Sequence, residues 1–261
     1  MAEARNHYTD GEAYERQMGR WSRVAGEIFL DWLSLPKGLR WLDVGCGTGP
    51  FTGLIVDRSE PSAISAVDPA DDQIAYARER PWGDRVDFHQ GAAEALPFGD
   101  DEFDAAVMAL VVTHLSDRGK GIAEMKRVVG PGGTVAAYVW DRPGHPQEPL
   151  IDALDTMGLE RGRSRGHQDS EIDMLMDLFD ASNLDGLASR PIEIQVTFKD
   201  FDDYWTSQTQ LANRFVRAVR ALSANQLARL KASLQEQLST DGDDRIAYMA
   251  RAAAVKGRVP E

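Results

Sequence analysis

Three glycines at alternate positions follow a short apolar run and could form a ligand-binding turn. They are Gly45, Gly47 and Gly49, in the stretch WLDVGCGTGPFTG that begins at Trp41. Glycine adopts backbone conformations that other residues avoid, so such a turn can bring its N–H groups close to a ligand. In an open parallel sheet, ligands bind beyond the carboxyl ends of the strands. The alternative is a tight turn that serves only the core.

The spacing of these glycines differs from the dinucleotide fingerprint G-x-G-x-x-G. Counted from Gly45, the third glycine would stand where the chain has Pro50, and counted from Gly47 it would stand at Thr52. An acid, Asp68, ends the second predicted strand, where a carboxylate can accept both hydroxyls of a ribose. The acid is compatible with any adenosine cofactor and does not identify the ligand, whereas the glycine spacing disfavours a nicotinamide dinucleotide.

The segments that must position these residues alternate between strand-like and helical patterns. We predict strands in RWLDVGC, SAISAVDP, RVDFHQG, EFDAAVMALVV and GTVAAYVWD, with helical stretches interspersed among them. Nearly all-apolar strands in a β-α rhythm indicate a parallel sheet that helices cover on both faces. Ahead of the first strand, apolar residues over 21–35 recur at helical spacing.

After Asp141 the pattern changes. PIEIQVTFKD alternates like an antiparallel strand, a helical stretch follows to about Leu238, and RIAYMARAAAVKGRV is expected to close the sheet. We expect one α/β domain over 1–261, with a doubly wound, Rossmann-like sheet of seven mostly parallel strands and an antiparallel edge hairpin. Its sections are an N-terminal helical arm (1–35), a cofactor-binding core (36–141), and a sheet completion with inserted substrate-covering helices (142–261).

Composition limits the partners and the compartment that we expect. The formal net charge is −13, with 42 acidic against 29 basic residues, and nucleic-acid binding relies on Lys and Arg. No apolar run approaches the ~18–20 residues that cross a bilayer, and the N-terminus lacks a secretory pattern. The single cysteine, Cys46, fits a reducing cytosol. We expect a cytoplasmic protein with no nucleic-acid partner and no membrane span, either a monomer or a homodimer.

Four longer stretches extend the glycine pattern: LDVGCGTG, AVDPADDQIAYAR, GAAEALPFGDDEFDAAVMALVVTHL and VVGPGGTVAAYVW. Together, over about residues 21–142, they resemble the class I S-adenosylmethionine-dependent methyltransferases, especially the small-molecule branch that includes ubiquinone/menaquinone-biosynthesis C-methyltransferases. The resemblance implies S-adenosylmethionine as cofactor, S-adenosylhomocysteine as product and a small organic acceptor. The alternative is a non-catalytic sensor or partner protein that binds the same cofactor.

The resemblance also assigns cofactor contacts to residues of this chain. It implies that Asp43 orients the glycine loop and the amino end of the cofactor, that Asp68 holds the ribose hydroxyls, and that Pro69 flanks the adenine. An N-terminal arm is expected to fold over the cofactor, with Tyr14 covering its methionine end and Arg20 pairing with its carboxylate. The remaining implied contacts are Gly45, Cys46, Gly47, Ala92, Ala93, Ala109 and Leu110.

One departure from the family pattern concerns the adenine. Many relatives read Gly-Asp-Ala-Glu where this chain reads Gly91-Ala92-Ala93-Glu94, so the carboxylate that would accept a hydrogen bond from the adenine amino group is missing. The backbone of Ala93, the side chain of Glu94 or a water is left to replace it. The loss of one such bond costs about 0.5–1.5 kcal/mol.

Methyl transfer by in-line displacement needs a positioned acceptor and a dry site, and it needs a base only where the acceptor retains its proton. His114, just beyond the fourth strand, is the candidate base, since histidine side chains titrate near neutral pH. Asp141, after the fifth strand, is a candidate for holding a substrate proton or amine. The alternatives are a packed loop histidine and a helix or loop cap. The five histidines are scattered and predict no metal site.

Aromatic residues of the C-terminal helical stretch are further candidates for the acceptor side. Tyr204, Trp205 and Phe215 are expected to form an apolar roof over the acceptor. The alternative is that they pack their helix onto the sheet, and both can hold for different faces of one helix.

Overall fold

A computed structural model describes residues 20–159, 171–209, 214–238, 240 and 242–261. Contacts divide the chain into two compact units. The described residues of the sheet unit are 23–141, 171–192 and 252–261. Those of the helical unit are 20–22, 142–159, 193–209, 214–238, 240 and 242–251. The division of 1–261 into sections of a single domain stays a prediction.

Seven strands form one sheet in the order β3-β2-β1-β4-β5-β7-β6. β1 is parallel to β2 and β4, β2 to β3, and β4 to β5, whereas β5 and β7 are antiparallel. The predicted fold class, a mostly parallel seven-stranded sheet with an antiparallel edge, is confirmed. The strands are β1 (Arg40–Val44), β2 (Ala63–Asp68), β3 (Asp87–Gln90), β4 (Phe103–Ala109), β5 (Val129–Trp140), β6 (Asp185–Phe198) and β7 (Ile246–Arg258).

Helices connect and extend these strands. They are α1 (Arg20–Leu33), α2 (Pro50–Arg58), α3 (Asp71–Arg78), α4 (Arg118–Val128), α5 (Glu148–Thr156), α6 (Glu171–Ala181), α7 (Phe201–Thr209), α8 (Arg214–Arg220) and α9 (Ala224–Gln237). The helical stretch expected up to Leu238 consists of α7, α8 and α9. α9 begins as a separate helix after Ser223, because Ser223 and Gln226 form a capping box that satisfies N–H groups at its start. None of the helices described is long and apolar enough to cross a bilayer.

Successive side chains of β5 point to opposite faces of the sheet. On one face, the ring of Tyr138 lies 4.7 Å from that of Phe29 in α1 and 6.0 Å from that of Phe51 in α2. On the other face, Val139 belongs to a buried cluster that includes Leu175 of α6. Helices therefore cover both faces, as expected for a doubly wound sheet.

Candidate functional site

The carboxyl ends of the parallel strands carry the residues predicted to bind the cofactor. Gly45 follows β1, Asp68 ends β2, Ala92 lies two residues after β3, and Ala109 ends β4. Since these strands pair in parallel, their carboxyl ends share one edge of the sheet. The fold thus brings residues from four separate segments to one edge, which we call the cofactor edge.

The loop after β1 requires glycine for both its conformation and its space. Gly45, Gly47 and Gly49 have φ angles of +76°, +56° and +81°, in the left-handed region. A Cβ on Gly45 would lie 2.5 Å from Cγ2 of Val111, and one on Gly49 would lie 2.4 Å from the ring of Trp82. The backbone can therefore turn here and pack against Val111 and Trp82 only because side chains are absent.

Asp43 lies beneath this loop and is almost fully buried, with 1% of its surface exposed. Its Oδ2 accepts a 2.6 Å hydrogen bond from the hydroxyl of Thr52, in the first turn of α2. Its Oδ1 has no hydrogen-bond partner among the described residues. Burial raises the pKa of this carboxyl to about 7, although the bond from Thr52 acts in the opposite direction. A cation beside Asp43 would favour the ionised form.

Asp68 joins the glycine loop to the end of β2. Its Oδ2 accepts a 2.9 Å hydrogen bond from the N–H of Gly47, and its Oδ1 accepts one of 2.9 Å from the N–H of Ala70. Burial raises the pKa of this carboxyl, and the two backbone bonds counteract that rise. Each carboxylate oxygen can accept a second hydrogen bond, so Asp68 retains the capacity to accept from a pair of ribose hydroxyls.

The loop after β3 holds the residues that were expected to meet the adenine. Ala92 is exposed and Ala93 is buried. Glu94 was one expected replacement for the missing aspartate. Its Oε1 instead accepts hydrogen bonds from the N–H and the hydroxyl of Ser116, at 3.0 and 2.9 Å. This oxygen of Glu94 is thus engaged by another loop, and the adenine contacts expected of Ala92 and Ala93 stay predictions.

The end of β4 combines backbone strain with an exposed histidine. Ala109 and Leu110 are half-buried. Leu110 has a φ of +65°, a left-handed conformation that is uncommon for a non-glycine residue and is typical of functional sites. The chain then forms a short 3-10 turn, Val112–His114, in which His114 is exposed.

Asp141 is buried directly after β5. Its Oδ1 accepts a 3.4 Å hydrogen bond from the N–H of Glu171, the first residue of α6. This contact fits the alternative interpretation of Asp141 as a helix cap.

Pro69 follows Asp68 at the cofactor edge, and its carbonyl accepts a 3.2 Å hydrogen bond from the side chain of Gln90.

Cys46 is buried within the glycine loop. Burial raises the pKa of its thiol well above the ordinary value, and the nearby Asp43 and Asp68 act in the same direction. A thiol that stays protonated is a poor nucleophile. The buried thiol of Cys46 therefore fits the role of a small packing residue in the glycine loop. In the part of the chain that the structure describes, no cluster of three or more His, Cys, Asp and Glu side chains could hold a metal.

The predicted arm and the predicted roof remain predictions. Tyr14 lies outside the described residues, and for Arg20 only its place in α1 is described. Aromatic side chains of the helical unit form a cluster of their own, which we call the aromatic cluster. Its members are Phe198, Phe201, Tyr204, Trp205 and Tyr248.

Tyr204 is the most deeply buried residue of α7 in this cluster. Its ring packs edge-on at 5.1 Å against Phe198, and none of its surface is exposed. Its hydroxyl and Oε1 of Gln208 have no hydrogen-bond partner among the described residues. Trp205 stacks on Phe201 and lies 4.7 Å from Nζ of Lys231. Two buried polar atoms therefore lie on one helix, four residues apart.

Three residues around the glycine loop escaped the sequence analysis. Thr52, which bonds to Asp43, was noticed only as a position that lacks glycine, although a hydroxyl in the first turn of a helix is a usable signal. Val111 and Trp82, which pack against the loop glycines, carry no such signal. Their contacts span long stretches of sequence, so only the fold reveals them.

Comparisons with known proteins agree with this arrangement. Residues 42–137 match the family described as a methyltransferase domain. The ubiquinone/menaquinone biosynthesis C-methyltransferase of Geobacter sulfurreducens is 34% identical over 129 residues, which cover 48% of this chain and 49% of that protein. The malonyl-[acyl-carrier protein] O-methyltransferase of Pectobacterium atrosepticum is 31% identical over 142 residues, or 52% and 54% of the two chains.

Solved structures extend the likeness over most of the chain. A phosphoethanolamine N-methyltransferase 2 of Haemonchus contortus, in complex with S-adenosyl-L-methionine, aligns with a TM-score of 0.58 and 16% identity, covering 95% of this chain and 56% of that one. At that identity the likeness concerns the fold.

Residues 42–137 match a methyltransferase domain, within a chain that forms the mostly parallel seven-stranded sheet described above. Over that domain the chain resembles the ubiquinone/menaquinone-biosynthesis C-methyltransferases. The chain spans about half the length of the curated relatives that it matches.

Proposed function

We propose that the protein is an S-adenosylmethionine-dependent methyltransferase that acts on a small organic acceptor. The observation that carries this proposal is the pair of buried carboxylates at the glycine loop, Asp43 and Asp68. Both are buried, so this site would gain from a ligand that brings positive charge. S-adenosylmethionine carries an ammonium and a sulfonium, whereas the pyrophosphate of a dinucleotide is anionic and would be repelled.

The residues at the cofactor edge fit this cofactor part by part. The N–H groups of the glycine loop and Oδ1 of Asp43 suit the amino-acid end, and Asp68 suits the ribose. The turn at Ala92 and Ala93 suits the adenine. S-adenosylmethionine would supply a methyl group that its positively charged sulfur already activates. The protein then has to hold the acceptor in line and exclude water.

On the acceptor side, His114 is the group we propose to accept a proton. It is exposed, and it ends the turn after β4, four residues beyond Leu110 in the chain. An imidazole there can take a proton from a hydroxyl or an activated carbon as the methyl group arrives. The similarity to quinone methyltransferases supports an acceptor with an apolar or aromatic body.

Binding of S-adenosylhomocysteine, measured by titration calorimetry, tests the cofactor assignment. The wild-type protein should bind it, and NADH should not compete. Asp68→Ala removes two hydrogen bonds to a carboxylate, each worth about 1.5–3 kcal/mol, so affinity should fall by about 100-fold or more. Asp71→Ala is the matched control, because Asp71 is an exposed carboxylate three positions along the chain, and it should change affinity by less than about two-fold.

Failure of the wild-type protein to bind S-adenosylhomocysteine at millimolar ligand would overturn the proposal. Binding of NADH at the same site would point to an oxidoreductase instead. The alternative of a non-catalytic sensor makes the same cofactor contacts, so only turnover separates the two functions.

Turnover is measured as S-adenosylhomocysteine formed in the presence of a reduced 1,4-naphthoquinone as a probe acceptor. His114→Gln should lower kcat by about 100-fold while leaving the affinity for S-adenosylhomocysteine unchanged. Turnover of this variant near the wild-type value would exclude the base role of His114 and leave the cofactor assignment intact.

A further inference from the structure

One carboxylate connects the loop after β3 with the segment that follows β4. Oε1 of Glu94 accepts hydrogen bonds from the N–H of Ser116 at 3.0 Å, from its hydroxyl at 2.9 Å and from the N–H of Asp117 at 3.4 Å. These bonds cross 22 or 23 positions of sequence. Partial burial acts to raise the pKa of Glu94, but the bonds from Ser116 and Asp117 outweigh it, so the pKa is lowered.

On the side of the β3 loop, Glu94 stands directly beside the residues assigned to the adenine. Ala93 precedes it and is buried. The N–H of Ala95 donates a 3.0 Å hydrogen bond to the carbonyl of Ala92, which closes a tight turn around Ala93 and Glu94. Because the turn is short and closed, a ligand that orders Ala92 and Ala93 also orders the backbone of Glu94.

On the side of the β4 segment, the donors to Glu94 are Ser116 and Asp117, which lie two and three residues beyond His114. Asp117 caps α4 by accepting a 3.0 Å hydrogen bond from the N–H of Lys120. Leu115 packs against the buried cluster of the sheet unit. His114 thus lies in the short segment between the end of β4 and the capped start of α4. Glu94 bonds to Ser116 and Asp117 in the same segment.

A second set of contacts holds the β3 loop independently of this connection. Glu124 of α4 accepts a 2.9 Å bond from the N–H of Leu96, and Arg127 donates a 2.9 Å bond to the carbonyl of Phe98. These bonds attach the later part of the loop to the body of α4. Removal of Glu94 therefore should not detach the loop, and its effect should be confined to the connection with Ser116 and Asp117.

We propose that Glu94 is a positioning residue that couples adenine binding at Ala92–Ala93 to the placement of His114. The inference rests on the proposed function, since it needs an adenosine cofactor at this edge. Binding of the cofactor reduces the motion of the turn. Through its hydrogen bonds from Ser116, the carboxylate then also reduces the motion of the segment after β4. The turn at Val112–His114 then holds the imidazole in place for the acceptor. The two sites share one coupling free energy, which acts in both directions.

Hydrogen exchange measured by mass spectrometry, with and without S-adenosylhomocysteine, tests this coupling. In the wild-type protein the ligand should slow exchange over 91–96 and also over 112–118. In Glu94→Ala, protection over 91–96 should remain and protection over 112–118 should be lost. Affinity for S-adenosylhomocysteine should fall by about three- to ten-fold, as expected for the loss of hydrogen bonds to a carboxylate near the surface.

Two further variants separate coupling from general damage. Glu94→Gln keeps an oxygen that can accept from Ser116, so it should restore most of the protection over 112–118. Glu102→Ala is the matched control, because Glu102 accepts a local 2.7 Å bond from Gly99 in the same loop but does not contact Ser116. It should behave as the wild-type protein does. Should Glu94→Ala not fold, Ser116→Ala should reduce the protection over 112–118 in its place.

The outcomes distinguish this inference from the proposed function. If the wild-type protein does not bind S-adenosylhomocysteine, both are overturned. If it binds, and protection over 112–118 is equal in the wild-type protein and in Glu94→Ala, or in the wild-type protein and Ser116→Ala where that variant is used, only the coupling is overturned. A loss that Glu94→Gln does not restore likewise overturns the hydrogen-bonded connection.

Discussion

The cofactor edge and the aromatic cluster both bury polar atoms, but they surround them differently. At the cofactor edge, Asp43 and Asp68 are held by a hydroxyl and by backbone N–H groups beside the glycine loop. In the aromatic cluster, the ring of Tyr204 packs against that of Phe198, and its buried hydroxyl has no hydrogen-bond partner among the described residues.

The difference shows how far each region is specified by its backbone. Backbone groups set the geometry of the cofactor edge, so a ligand meets an arrangement that is already formed. In the aromatic cluster, side-chain packing sets the geometry, and a buried hydroxyl without a partner is a cost that the fold has to bear. The cofactor edge should therefore respond strongly to charge and to added volume, and the aromatic cluster only weakly to the loss of a hydroxyl.

The largest effect should come from the charge of Asp43. Its pKa is raised from 3.8 to about 7, so between these values the unfolded chain is ionised while the folded protein keeps the proton. The free energy of unfolding should therefore fall as pH rises, by about 3 kcal/mol between pH 5 and pH 8 from this group. Urea unfolding at both pH values, in the absence of cofactor, measures it.

Asp43→Asn isolates this contribution, because the amide oxygen can still accept from Thr52 and carries no charge. Between pH 5 and pH 8, the free energy of unfolding of the variant should fall by about 3 kcal/mol less than that of the wild-type protein. If the free energy of unfolding depends on pH in the same way in both proteins, ionisation of Asp43 does not destabilise the fold. The contrast between the two regions would then lose its main support.

An intermediate effect should come from filling the space beside the glycine loop. Gly45→Ala combines a left-handed backbone with a Cβ 2.5 Å from Val111. Gly38→Ala is the matched control, because Gly38 has a φ of +79° and no atom within 4 Å of an added Cβ. Strain alone should cost about 1 kcal/mol at Gly38. Gly45→Ala should cost about 2 kcal/mol more, as expected for overpacking.

Chemical unfolding of both glycine variants measures the difference, and the affinity for S-adenosylhomocysteine should fall only in Gly45→Ala. Equal costs at the two glycines would mean that Val111 moves aside freely. The loop would then be less closely packed than its geometry indicates.

The smallest effect should come from the hydroxyl of Tyr204. Tyr204→Phe removes a buried polar atom that has no partner among the described residues, so stability should be unchanged or rise by up to about 1 kcal/mol. Tyr248→Phe is the matched control from the same cluster, since its hydroxyl donates a hydrogen bond of 2.6 Å to the carbonyl of Pro146. It should cost about 1 kcal/mol. Thermal unfolding of both variants measures the difference, and a loss in Tyr204→Phe equal to that in Tyr248→Phe would show that the Tyr204 hydroxyl is satisfied.

Much of the sheet and of the cofactor edge could be predicted from the sequence. The five parallel strands overlap the segments predicted for them, because a strand covered on both faces needs a continuous apolar stretch. However, β4 ends at Ala109, ahead of the expected Val112, and β5 begins at Val129, ahead of the expected Gly133. The later part was harder to delimit. β6 begins at Asp185, ahead of the expected Pro191, and the helical stretch divides into three helices. Capping contacts and packing decide such boundaries, and local composition carries them only weakly.

The sequence by itself determined the chemistry of the loop, because backbone conformation is a local property. Alternate glycines, with Pro50 and Thr52 where a dinucleotide fingerprint needs glycine, specify a left-handed turn. Asp68 specifies a carboxylate at the end of the next strand. Only the tertiary structure decided that Oε1 of Glu94 bonds to Ser116 and that Val111 packs against Gly45. Those contacts join residues far apart in the chain, and they form because the fold brings the strand ends to one edge.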